Sequence, residues 1–113
     1  MPEVIVVLVK NGTVWQTAVV PHKVAVSPGN QTITWVAAGP GNPRFPAAEN
    51  RFWWKTSPAP SVGLPSRIDG GKRLELSYDN TFTGVWEYGL RIENDEVGPI
   101  DIDPEIDNGP PRP

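Results

Sequence analysis

The sequence feature that most constrains the fold is the alternation of apolar with polar or small residues in short runs. In one such run Ile33, Trp35 and Ala37 alternate with Thr32 and Thr34. Runs with the same period occupy residues 31–38, 73–78, 85–92 and 100–103. A period of two is typical of strands that bury one face, because successive strand side chains point to opposite sides. No window keeps apolar residues at helical spacing for three turns, so we expect little helix.

The N-terminal runs predict a β-hairpin. Two β-branched runs, at residues 4–10 and 13–20, are joined by Asn11-Gly12. Both turn residues tolerate the positive φ of a type I′ turn, which makes this pair a strong hairpin signal. The first run is apolar at both parities, so we expect its strand to be buried on both faces or to have one face covered by another subunit.

Size and composition predict one all-β domain. A chain of 113 residues fits a single sandwich of about seven to nine strands, and its five tryptophans supply core volume. Prolines and glycines cluster between the apolar runs, as expected of turns. We therefore predict a two-sheet antiparallel Greek-key sandwich over residues 1–107 and a Pro-rich tail over residues 108–113. The predicted core contains Ile33, Trp35, Leu74, Leu76, Trp86, Tyr88 and Leu90.

Two segments resemble the cupredoxins, the plastocyanin and azurin family of copper proteins. Val24–Val36, with the sequence VAVSPGNQTITWV, is similar to the strand, Pro-Gly turn and TVTW strand of that family. Gly84–Tyr88, with the sequence GVWEY, resembles the G-x-Y-x-Y strand that precedes the copper loop. Immunoglobulin-like sandwiches share these strand and turn patterns, and they are the alternative. Either resemblance implies a two-sheet Greek-key sandwich.

The resemblance implies a sandwich without copper. It would place the copper-binding cysteine at Gly89, a histidine near Ile92, the axial methionine near Val97, and a second histidine within residues 41–45. None of these positions holds the required residue. The single histidine, His22, lies in a different strand, and the chain has no cysteine. We therefore expect no metal and no other cofactor.

The sequence does not predict an enzyme. Without cysteine, and with one histidine outside any Gly-x-Ser-x-Gly context, the routes to nucleophilic catalysis are few. The acidic run at residues 101–109 departs from the EF-hand pattern, since its sixth position is Ile106 instead of glycine and no glutamate closes the loop. Walker-type and dinucleotide-binding glycine motifs are absent.

Charge is unevenly distributed along the chain. Residues 1–73 carry eight basic and three acidic residues, a net +5, whereas residues 74–113 carry two basic and ten acidic residues, a net −8. Either the fold interleaves the two halves or the surface is dipolar. The overall net charge of −3 disfavours a generic nucleic-acid binder. The missing signal and membrane-spanning patterns predict a soluble cytoplasmic protein, with the mature form of an exported protein as the alternative.

The segment Arg51–Lys55 is the most informative candidate site. If it is a strand, Phe52 and Trp54 point to one side and Trp53 points to the other between two cations. An exposed tryptophan among cations suits a protein, a sugar or an anionic ligand. The alternative places Trp53 under a Pro-rich loop. The predicted binding residues are Arg44, Phe45, Arg51, Trp53 and Lys55.

These observations favour a non-enzymatic recognition or assembly module. It would bind a protein partner, including a second copy of itself, through the doubly apolar first strand or the Trp53 face. The alternative function is a small-ligand domain that binds a sugar or an anionic ligand through the aromatic and basic residues. The Pro-x-x-Pro spacing at 110–113 is too short a segment to indicate a ligand for a proline-binding domain, and we expect an ordinary extended terminus.

Overall fold

A computed structural model describes residues 2–110, which fold into two packed β-sheets. The strands are β1 (Glu3–Asn11), β2 (Val14–Val20), β3 (Lys23–Ala25), β4 (Gly29–Ala38), β5 (Phe52–Trp54), β6 (Ser66–Ile68), β7 (Arg73–Asn80), β8 (Val85–Ile92), β9 (Ile100–Ile102) and β10 (Glu105–Asp107). Two 3-10 turns, Glu49–Arg51 and Asp69–Gly71, are the helical elements of the described part of the chain. The predicted all-β class is confirmed.

The strands divide into a five-stranded first sheet and a second sheet centred on β8. The first has the order β2-β1-β4-β7-β6, and the second has the order β3-β10-β8-β5, with β9 also paired to β8. The two sheets enclose the core between them. The chain therefore forms the two-sheet sandwich that the alternation predicts.

The prediction of purely antiparallel sheets is wrong at two strand pairs. β1 lies parallel to β4, and β3 lies parallel to β10. After β2 the chain crosses to the second sheet to form β3, and it re-enters the first sheet as β4. Such crossovers create parallel neighbours, whereas hairpins create antiparallel ones. The Greek-key connectivity stays a prediction.

The predicted core is confirmed. All seven predicted core residues are buried, and Trp35 lies at the centre of the sandwich with no exposed surface. Its indole nitrogen, on β4, donates a hydrogen bond of 2.8 Å to the Tyr88 hydroxyl on β8, which joins the two sheets. Burial of this hydroxyl raises the pKa of Tyr88 well above its usual value, while the hydrogen bond from Trp35 acts in the opposite direction.

The predicted hairpin is present, but its turn lies one residue later than predicted. Asn11 pairs with Val14, so Gly12 and Thr13 form the two-residue loop. Gly12 has a φ of 65°, and Asn11 and Thr13 lack positive φ. A turn with glycine at its first central position needs only that one positive φ, as in type II′. Asn11 can therefore remain in the strand.

The first strand is not buried on both faces by its own chain. Val4, Val6 and Leu8 are completely buried, as expected of the inward face. On the outward face Ile5 and Val7 are half-buried, and Val9 is 38% exposed. Of the two alternatives for this strand, burial on both faces within the chain is therefore wrong, and cover by another molecule stays a prediction.

The domain includes residues that the sequence placed in a loop and in the tail. β6 lies within the stretch 57–71, which lacked a clear strand pattern. Asn108 is buried and accepts a hydrogen bond of 2.7 Å from the Tyr78 hydroxyl, and the Gly109 carbonyl accepts one of 2.9 Å from the Gly84 amide. The packed chain therefore continues through Gly109. Residues 111–113 of the Pro-x-x-Pro tail lie outside the described residues.

Candidate functional site

Trp53 lies on the outward face of the second sheet, as the alternation predicts. Its strand neighbour Phe52 is buried, and Trp54 packs against the core. β5 pairs with β8 so that Trp53 is opposite Gly89. Glycine leaves room for the indole to lie over the β8 backbone, since any side chain at Gly89 would collide with the Trp53 ring. The ring is therefore seated on the strand, half-buried.

An arginine that the sequence did not single out contacts the ring of Trp53. The Arg91 guanidinium carbon lies 5.3 Å from the centre of the Trp53 ring, a cation–π geometry. Arg91 also donates to Asp101 in two hydrogen bonds, of 2.6 and 3.2 Å. These bonds to Arg91 lower the pKa of Asp101, and the same pairing raises the pKa of Arg91. We call Trp53, Gly89, Arg91 and Asp101 the Trp53 platform.

The predicted cations do not form a free basic patch beside Trp53. Lys55 forms an ion pair of 3.3 Å with Asp103. Arg44 lies 2.6 Å from Asp95 and 3.4 Å from Glu93. Of the two alternatives for the surface charge, the fold follows the interleaved one here, because these pairs bring basic residues of the first part of the chain to acids of the second.

Arg51 and Phe45 have local structural roles. The Arg51 guanidinium donates to the carbonyls of Ala47 and Ala48 at 3.1 and 3.2 Å, and so holds the turn before β5. Phe45 is completely buried in the core, so the prediction that it contributes to a surface site is wrong. The Phe45 amide donates a hydrogen bond of 2.7 Å to the Gly71 carbonyl, which holds the backbone around Phe45 against the sandwich.

The Pro-rich loop is anchored by Trp54 instead of Trp53. The Trp54 indole nitrogen donates to the Gly63 carbonyl at 3.0 Å, and its ring packs edge-on against Phe52 and Trp86. The alternative named Trp53 as the residue under this loop, but the hydrogen bond to the loop comes from Trp54. This leaves Trp53 on the outer face of β5.

The surface beside the Trp53 platform is acidic and slightly concave. A depression of about 230 Å³ is lined by Lys55, Glu87, Tyr88, Asp103, Pro104 and Glu105. Lys55 is the one cation of this lining, and three carboxylates surround it. The local charge is therefore negative, which opposes an anionic ligand.

A second candidate surface lies on the outside of the first sheet. Val7 is opposite Ala18 on β2 and Ala38 on β4, and Ile5 is opposite Val20 and Val36 in the same way. Facing partners in a sheet share a side, so these residues form one continuous aliphatic surface. We call it the hairpin face, and it consists of Ile5, Val7, Val9, Ala18, Val20, Val36 and Ala38.

The hairpin face is accessible to solvent in the isolated chain. Val20 is 59% exposed and Ala18 is exposed, whereas Val36 and Ala38 are half-buried. Toward β7 the aliphatic surface ends where Val36 pairs with Arg73. The sequence indicated this face because β1 is also apolar at its outward positions, Ile5, Val7 and Val9. It did not indicate the contribution of β4, because the local sequence pattern does not predict that β4 pairs with β1.

The sequence contained a weak signal for the Trp53 platform. Gly89 interrupts an otherwise regular strand, and such a glycine often marks close approach by another group. It is also the position at which the cupredoxin resemblance would place the copper-binding cysteine, and here the indole of Trp53 covers it. Within residues 2–110 no group of three His, Asp or Glu side chains is placed to share a metal ion.

Comparisons with other proteins leave the chain without a family assignment. No protein-family model matches it, and a search of curated proteins also finds no match. Among the described residues there is no helix of the length and hydropathy that crossing a membrane requires. The function is therefore argued from the two surfaces of the chain itself.

Proposed function

We propose that the chain is a non-enzymatic module that binds a protein partner through the hairpin face. The observation that supports this function is the continuity of seven aliphatic side chains across three neighbouring strands. Exposed apolar residues are ordinary when they are scattered, but a contiguous patch is typical of an interaction surface. Covering it would remove apolar area from water, at about 25 cal/mol for each Å².

The chemistry of the hairpin face suits a protein better than a small ligand. Its side chains carry no hydrogen-bonding group, whereas small-ligand sites combine a concave shape with a few polar groups that orient the ligand. Protein interfaces instead have an apolar centre and a polar rim. Gln16 and Arg73 lie at opposite borders of the face, where such a rim is expected.

Val7 is the residue whose replacement tests this function. It lies at the centre of the face, opposite Ala18 and Ala38. We expect Val7→Lys to weaken binding to the partner by about tenfold or more, because it would place an unpaired charge in the interface. The partner is first identified by photo-crosslinking from Val9 in cells that express the chain. Its affinity is then measured by calorimetry with purified proteins.

The matched control for Val7→Lys is Ser77→Lys. Ser77 lies on the same outer side of the first sheet but on β7, beyond the aliphatic surface. This variant should bind the partner as the unmodified chain does, and thermal unfolding should show both variants folded. Equal affinity of Val7→Lys and the unmodified chain would contradict the proposed function, as would crosslinking that is no stronger from Val9 than from Ser77.

The Trp53 platform supports a second function, the binding of a sugar. Sugar rings pack their C–H faces on aromatic side chains, and the indole of Trp53 is held over Gly89 on the outer surface of a strand. The carboxylates of Asp101, Asp103 and Glu87 supply acceptors for hydroxyl groups. The same carboxylates favour a neutral sugar over an anionic ligand.

We expect Trp53→Ala to abolish binding of any glycan that the unmodified chain retains on a glycan array. Loss of the stacking surface should weaken the affinity by at least about tenfold, measured by isothermal titration calorimetry. The matched control is Trp15→Ala, because Trp15 is also half-buried and lies beneath a cation, Lys10, at 5.9 Å. Retained affinity in Trp53→Ala, or equal loss in Trp15→Ala, would exclude the sugar site.

A further inference from the structure

β2 is an edge strand without the features that usually protect an edge. The strand order leaves its outer side without a neighbour among the described strands. Natural edge strands are commonly short or carry charges, prolines or bulges, since their open backbone groups can pair with another chain. β2 has seven residues, VWQTAVV, with no charge, proline or glycine. It therefore offers an uninterrupted row of backbone groups.

Two of the three other edge strands are short and carry a charge. β6, at the far end of the first sheet, has three residues, contains Arg67 and follows Pro65. β3, at one end of the second sheet, has three residues and contains Lys23. The contrast within one molecule indicates that the open edge of β2 is not a general property of this fold.

The sequence of β2 is complementary to itself in one antiparallel register. A twofold axis through Thr17 would place Val14 opposite Val20 of a second copy and Trp15 opposite Val19. Gln16 would then face Ala18, and the two Thr17 side chains would face each other. In this register outward residues meet outward residues and half-buried inward residues meet inward ones. A shift of the pairing by a single residue would match the wrong faces.

Three of these four facing pairs are of a kind that stabilises a sheet. Trp15 with Val19 is an aromatic and β-branched pair, and two threonines can exchange a hydrogen bond. Val14 and Val20, which are 57% and 59% exposed, would cover each other on the outer side. The pairing therefore buries the two large apolar residues, Val14 and Val20, that are among the most exposed within residues 2–110.

We propose that the edge of β2 binds β2 of a second copy of the chain, in an antiparallel pairing about Thr17. This inference goes beyond the proposed function, because it uses the edge of the first sheet and leaves the hairpin face open for another partner. The two first sheets become one ten-stranded sheet, and the two hairpin faces become continuous across the axis. A second copy fits because β2 is uncharged and its side chains match those of another β2 strand in this register. An unrelated strand would need a matching pattern of its own.

Charge exchange at Gln16 and Ala18 tests the register directly. Both residues are exposed, and in the proposed pair Gln16 of each copy lies opposite Ala18 of the other copy. The variant Gln16→Lys/Ala18→Lys, and the variant Gln16→Glu/Ala18→Glu, each place like charges opposite each other twice. We expect sedimentation equilibrium to show dimers of the unmodified chain and about tenfold weaker association of each variant alone.

An equimolar mixture of the two variants is expected to recover association, with native mass spectrometry showing a heterodimer. Facing positions 16 and 18 predict this recovery, because each lysine would then lie opposite a glutamate. An unmodified chain that stays monomeric up to about 1 mM would overturn the inference, and so would a mixture that associates no better than either variant alone. Thermal unfolding must show both variants folded as the unmodified chain is.

The outcomes separate this inference from the proposed function. If the chain is monomeric but an identified protein binds it in a Val7-dependent way, the β2 pairing is wrong and the protein-binding function holds. Alternatively, the charge variants behave as expected but Val7→Lys leaves the binding of every crosslinked protein unchanged. In that case the β2–β2 pairing holds, and the proposed protein-binding function of the hairpin face is wrong.

Discussion

Replacing Trp35 with alanine is expected to lower the free energy of unfolding by about 3–5 kcal/mol. Trp35 is completely buried, and its ring meets Phe52 and Tyr88 edge-on at 5.5 and 5.7 Å between ring centres. Alanine would leave a cavity at the contact between the two sheets. It would also remove the hydrogen bond that the Trp35 indole N–H donates to the buried Tyr88 hydroxyl, so that the cost of taking this hydroxyl out of water would no longer be offset. Chemical denaturation monitored by circular dichroism measures the change.

Trp35→Phe separates the two contributions. It retains most of the apolar volume but removes the indole N–H that bonds to Tyr88. We expect a smaller loss, about 1–3 kcal/mol, most of it from the unsatisfied hydroxyl. A loss below about 1 kcal/mol for Trp35→Ala would show that the two sheets are not held together at this residue.

Alternation predicted the faces of the strands, but it did not predict their neighbours. Ile33 and Trp35 point inward as their parity requires, and the same holds for the strand that carries Tyr88. The parallel pairing of β1 with β4 depends on where the chain crosses between sheets, which no local pattern records. β6 has only three residues, too few for a period, and it exists because it pairs with β7.

The candidate site was predicted only in part for the same reason. Parity placed Trp53 on the outer face, but the register between β5 and β8 decides that Gly89 lies beneath it. Arg91 and Asp101 come together through the pairing of β8 with β9. Lys55 looked like a free cation because its acidic partner, Asp103, is distant in the sequence. Local patterns thus indicate a residue's side of the sheet, and tertiary pairing determines its contacts.

Gly89→Val is expected to destabilise the fold by about 1–3 kcal/mol, although valine normally favours a strand. Gly89 lies in the middle of β8 and does not have positive φ, so its backbone imposes no need for glycine. The conflict is with the indole of Trp53, which occupies the space of the new side chain. Valine would displace the ring and break its contact with Arg91. Chemical denaturation of the variant measures the loss.

The same substitution is expected to have the opposite sign once Trp53 is absent. In a Trp53→Ala background the space over Gly89 is open, so Gly89→Val should stabilise the fold by several tenths of a kcal/mol or more, through strand preference and a less flexible unfolded chain. The four proteins of this double-mutant cycle therefore give a coupling energy of about 1.5 kcal/mol or more. If Gly89→Val destabilises both backgrounds equally, the glycine serves the β8 backbone itself, and Trp53 does not rest on it.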